Sequence, residues 1–141
     1  MKTDFKNAYA RHQQDADSLF DNKRYANADH LYGLAAECAL KAVMLGLDPT
    51  IVDKNGDFLN ASDKKHIDKL WDHFRLFLQG RNASSLLIHI SSSNNPFHKW
   101  TINSRYSHQK TFNKGNVFPH KKTVNNSIAN LMLEARIKGI L

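Results

Sequence analysis

The sequence predicts an all-α fold: an up-and-down bundle of four core helices, one or two short helices, and a small hairpin or loop inserted near residues 48–60. Three observations lead there. Phe5, Tyr9, His12, Ala16 and Leu19 recur at steps of four, three, four and three, the seam of an amphipathic bundle helix. Residues 31–46 are apolar almost all the way round, which suits a helix in the middle of a bundle. Val124, Ile128, Leu131 and Ala135 repeat the helical step near the C-terminus, and little of the chain reads as strand. With 141 residues the chain makes one domain, 1–141, large enough to bury a core without staples.

The elements follow in order. The first helix runs from Thr3 or Asp4 to about Phe20, and the turn Asp21-Asn22-Lys23 is short enough to require an antiparallel neighbour. The second runs from about Arg24 to Leu45, with Gly46 ending it and Pro49 preventing a restart. Thr50-Ile51-Val52 and Phe58-Leu59 then flank Lys54-Asn55-Gly56-Asp57, where Asn-Gly signals a tight turn. Asp53, Asn55 and Asp57 alternate as in a calcium loop, but glycine falls at the fourth position and Lys64 at the twelfth, so this is no EF-hand. Ser62 or Asp63 caps a third helix that carries Ile67, Leu70, Trp71, Phe74, Phe77 and Leu78 inward and ends near Gly80. A shorter helical run, Arg81 to Ile90, buries Leu86, Leu87 and Ile90. Ser91 to Pro96 is loop by composition. Phe97 to about Tyr106 forms a short helix and Ser107 to Asn116 an exposed basic loop. Pro119 stands in the first turn of the last helix, which Gly139 stops.

Charge is unevenly spread. Residues 1–60 hold seven Lys/Arg against nine Asp/Glu, whereas residues 61–141 hold thirteen against four, within an overall net charge of +7. No acid lies between Asp72 and Glu134, a span that contains eight Lys/Arg and five histidines. Such a one-signed region attracts polyanions, and equally fits the acidic half of a second subunit. The single cysteine, Cys38, excludes an intrachain disulfide or cysteine metal site and reads as a small core residue. His66 and His73 share a helix face, but nothing beside them completes a metal site, so neither metal nor cofactor is expected. The N-terminal stretch has no apolar leader region, and no run approaches the ~18 apolar residues of a membrane span. A soluble, cytoplasmic protein without a membrane partner is the expectation.

Within the apolar second helix, His30, Gly33, Glu37 and Lys41 fall at steps of three, four and four and make one polar stripe. Glu37 and Lys41 stand in the favourable order for an ion pair, with Arg105 as a candidate second cation. The stripe reads either as a structural ion pair or as a polar pocket where His30 and Glu37 meet Arg105 and Tyr106. His30 titrates near neutrality, which suits acid–base work, although a lone histidine is more often a hydrogen-bonded core residue. Trp71 and Trp100 are most simply core anchors. Trp100, beside Lys99 and shortly before Arg105-Tyr106, alternatively offers a base-stacking surface.

The run Ala28-Asp29-His30-Leu31-Tyr32-Gly33-Leu34-Ala35-Ala36-Glu37-Cys38-Ala39-Leu40-Lys41-Ala42 resembles the second helix of HEPN-superfamily proteins. Lys65 to Trp71 and Asn95 to Tyr106 extend the resemblance, in the order and rough spacing of one uncharacterised bacterial branch. It implies a bundle of four core helices, frequent homodimers and roles around RNA and nucleotides. Some members are ribonuclease toxins; others are catalytically silent partners in toxin–antitoxin and phage-defence systems. The nuclease members carry Arg, four to six residues, then His near the start of a late helix. Here Arg81 has seven residues between it and His89, and Arg105 only two before His108. Arg24 and His30 have five between them but lie on the wrong helix.

The leading expectation is therefore a non-catalytic accessory domain, dimeric, that binds RNA, a nucleotide or a partner protein, with no catalytic residue assigned. Its binding residues are His30, Glu37, Lys41, Trp100, Arg105 and Tyr106 around the stripe. Lys110, Lys114, Lys121 and Lys122 are the phosphate contacts of the basic half. One alternative is a metal-independent endoribonuclease using Arg105 or Arg81 with a nearby histidine. The other is a structural interaction module whose basic face meets an acidic partner.

Overall fold

A computed structural model describes residues 1–141 and shows an all-α fold without a named strand. Helix α1 (Phe5–Asp21) begins where the Asp4 carboxylate accepts the Asn7 backbone N–H at 2.9 Å. Lys23, in the left-handed region at φ 60°, turns the chain back into α2 (Tyr25–Leu47). Helix α3 (Ile67–Gly80) is followed by 3-10 turns over residues 84–89, 102–106 and 109–111. The last helical run is continuous: α4 (Lys114–Thr123) passes through a π-helical stretch (Val124–Ile128) into α5 (Ala129–Ile137).

Helix α2 is the axis, in contact with α1, α3, α4 and α5. Its alanine-rich faces let these neighbours approach closely, and Tyr32, Ala35, Ala36, Ala39 and Leu40 are fully buried. In length and mean hydropathy α2 also reaches the range of a membrane span, contrary to the sequence reading. Most of that apolar surface is covered by the bundle itself.

Several boundaries move, each for a local reason. Gly46 does not end α2; the helix continues to Leu47, and Gly46 instead makes room for the C-terminal strap. A Cβ there would lie 2.2 Å from the Ile140 carbonyl oxygen. The inserted hairpin reduces to a single antiparallel bridge, Val52 with Phe58, closed by Asp53 Oδ1 accepting the Asn55 and Asp57 backbone N–H groups. Asp63 does not cap α3, whose cap position is His66; Asp63 accepts from His73 Nε2 at 2.7 Å. The expected helix over Phe97–Tyr106 shrinks to its second half. The last helix begins five residues before Pro119, because Asn113 and Asn116 cap it reciprocally. Leu87 stays partly exposed, while Leu86 and Ile90 are buried.

Candidate functional site

The stripe on α2 divides into two polar centres. At its middle, Lys41 Nζ donates to Glu37 Oε1 at 2.7 Å, and His66 Nδ1 donates to Glu37 Oε2 at 3.0 Å. Glu37 and Lys41 are both buried. Arg105 takes no part. It is exposed, with its guanidinium 4.8 Å from the Tyr106 ring centre, and Tyr106 is 76% exposed. The expected pairing of Arg105 with Glu37 is thus corrected: His66, at the start of α3, reaches the second carboxylate oxygen first and satisfies it.

At the other centre, Trp100 lies flat against α2. A Cβ on Gly33 would sit 2.0 Å from the indole, so only glycine admits this contact. The Trp100 Nε1–H donates to the Asp29 carbonyl at 3.0 Å, and the His30 ring stacks on the indole at 5.9 Å. Trp100 is only 3% exposed, which leaves no face for a base and corrects its place among the binding residues. Burial, and next the Arg105 charge, hold the His30 pKa below the usual histidine value, against the pull of Asp29. His30 Nδ1 and Ser104 Oγ, on α2 and on the 102–106 turn packed against it, are buried polar atoms without a hydrogen-bond partner.

Sequence reasoning missed the Asp29–His120 pair. Asp29 Oδ1 accepts from His120 Nδ1 at 2.6 Å, while His120 Nε2 lies 3.1 Å from the Pro96 carbonyl. Both ring nitrogens therefore face acceptors inside the fold. The two residues lie 91 positions apart, so no local pattern in the sequence marks the pair. Arg81 and His89 are engaged elsewhere. Arg81 bonds Asp48 at 3.1 Å and stacks on Phe77, while His89 bonds Glu134.

The predicted lysines also separate. Lys121 Nζ donates to Asp17 Oδ1 at 2.9 Å, on the same oxygen that accepts Tyr32 OH at 2.6 Å and Asn125 Nδ2 at 2.9 Å. Lys121 is therefore a tie between α4 and α1, not a free phosphate contact, and this corrects its assignment. The π stretch aims Asn125 at this cluster, where its Oδ1 accepts from Gln13 Nε2 at 2.8 Å. Burial works to raise the Asp17 pKa, but the Tyr32, Asn125 and Lys121 donors outweigh it and hold Asp17 below the usual carboxylate value. Lys110, Lys114 and Lys122 are exposed.

Lys110 has company. With Lys23, Arg24 and residues 25–27 of α2, together with Ser107, Gln109 and Phe112, it lines a cleft of about 310 Å³. The eight side-chain ion pairs of the protein use none of these three cations. No acid lines the cleft. Helix α2 begins there without a side-chain cap and without an acid in its first turn, so its positive dipole end is uncompensated. Tyr25 and Phe112 supply aromatic surface. This is a preformed cationic cleft, and neither Lys23 nor Arg24 was among the binding residues predicted from sequence, since both fall in the acid-rich half.

Compared with known proteins, the chain matches no family model, no curated protein and no solved structure. The class defined by fold and site is an all-α helical domain with a basic cleft at the start of its central helix.

Proposed function

We propose that the protein is a non-catalytic, HEPN-like binding module that holds single-stranded RNA through its backbone at the Lys23–Arg24–Lys110 cleft. The observation that carries this reading is the convergence of three unpaired cations and no acid around one concave site. A phosphate there gains charge-assisted N–H bonds, while Tyr25 and Phe112 give a neighbouring base an apolar wall. Lys114, Lys122 and Arg105 are further exposed cations that can take part in phosphate contacts. The two histidines nearest in role to a catalyst are poorly placed for it: His30 lies against Trp100, and His120 has both nitrogens bonded inside the fold.

The test is anisotropy of a labelled single-stranded RNA at two salt concentrations. Lys23→Glu with Lys110→Glu should weaken binding by more than about tenfold and flatten the salt dependence by roughly 0.7 per lost phosphate contact. Negligible RNA binding by wild type near ~0.15 M salt would remove this reading and leave an acidic protein partner as the better occupant.

A further inference from the structure

A second cleft, of about 490 Å³, opens where the N-terminal segment, α2 and residues 56–64 meet. Its lining includes Lys41, which is only 6% exposed. An ammonium group has three donors, and Glu37 is the one acceptor bonded to this one. The Phe5 and Phe58 rings, stacked at 5.4 Å, lie beside it, with Lys41 Nζ 5.9 and 5.8 Å from their centres. Exposed Lys64 and Asp57 complete the polar lining. A desolvated cation with donors to spare, a second cation and an aromatic wall make a built site with a definite chemistry.

We propose that this cleft binds a small organic carboxylate, its carboxylate bonded to Lys41 and Lys64 and its apolar body against Phe5 and Phe58. The aromatic wall argues for this class: an organic carboxylate has an apolar body to place against Phe5 and Phe58, whereas inorganic phosphate has none. Glu37 keeps Lys41 in place but offers it only one acceptor, so a ligand oxygen adds a bond instead of replacing one. This site stands apart from the RNA cleft and does not rest on that reading.

Benzoate is the probe, titrated into isotope-labelled full-length protein and followed by NMR. Saturable shifts should appear at Lys41, Phe5 and Phe58. Lys64→Glu, an exposed position that leaves the fold intact, should weaken benzoate by about tenfold. Lys41→Met should abolish the shifts, but its loss of an ion partner threatens the fold, so Lys64→Glu decides. Lys110→Glu, in the other cleft, should leave benzoate affinity unchanged. The proposal is overturned if the shifts do not saturate, if Lys64→Glu binds like wild type, if Lys110→Glu weakens binding equally, or if inorganic phosphate binds as well as benzoate.

Discussion

Glu37 and Lys41, in the middle of α2, and Lys23, Arg24 and Lys110, around its first turn, are the same kinds of side chain under opposite conditions. The first pair is buried and fixed at 2.7 Å, with His66 bonded to the second oxygen of Glu37. The second set is wet, has no carboxylate partner and surrounds a cleft. Burial makes a charge depend on its neighbour, because losing the partner strands an ion in a low-dielectric site. Exposure leaves the charge available to a ligand at little cost to the fold.

Breaking the buried pair should therefore give the largest effect. Glu37→Ala is expected to destabilise the fold by about 3–5 kcal/mol, whereas Glu37→Leu combined with Lys41→Met should recover most of the loss. Urea denaturation measures both. A cost under about 0.5 kcal/mol for the single change would mean that the pair is solvated and the contrast unreal. The matched change at the wet end, Lys110→Ala, should stay within about 0.5 kcal/mol.

Gly33 and Gly80 sharpen the same contrast with backbone in place of charge. Gly33→Ala should cost about 2 kcal/mol despite the better helix propensity of alanine, because the new Cβ meets the Trp100 ring. Around Gly80 an added Cβ meets nothing within 4 Å, so Gly80→Ala should be neutral or stabilising. Near-UV circular dichroism of Trp100 should change in the first variant only.

Lys121 and Lys122 are adjacent, yet only one is tied. Lys121→Ala should cost roughly 1 kcal/mol through the lost bond to Asp17, while Lys122→Ala should leave stability within about 0.5 kcal/mol. Equal thermal midpoints would place Lys121 among the free lysines after all.

The smallest effects concern pH. The Asp17 pKa is lower in the fold than in the unfolded chain, so its contribution is full above the ordinary carboxylate value near 4 and is lost as pH falls through the folded value. Asp17→Asn should flatten that acid limb of the stability curve. The His30 pKa is also lowered, so its stabilising effect is full above the ordinary value near 6.5 and is lost as pH falls toward the folded value. His30→Gln should remove a shallow slope in that window, read from denaturation midpoints at successive pH values.

The sequence by itself determined the helical class, the central place of α2, and the Glu37–Lys41 pair. These depend on periodicity and on residues one turn apart, information that lies within a single helix. Only the tertiary structure decided that Trp100 packs against Gly33, that His66 and not Arg105 completes Glu37, and that Lys121 belongs to Asp17. Those partners lie 29 to 104 residues apart in the chain, as do Asp29 and His120 at 91. No local pattern encodes such distances. The cationic cleft failed to show for the same reason: Lys23 and Arg24 belong to the acid-rich half, and only the folding of residues 107–112 over the start of α2 sets Lys110 beside them. Charge counted along a chain gives the sign of a region, but the potential at a surface depends on which segments the packing of the core brings together.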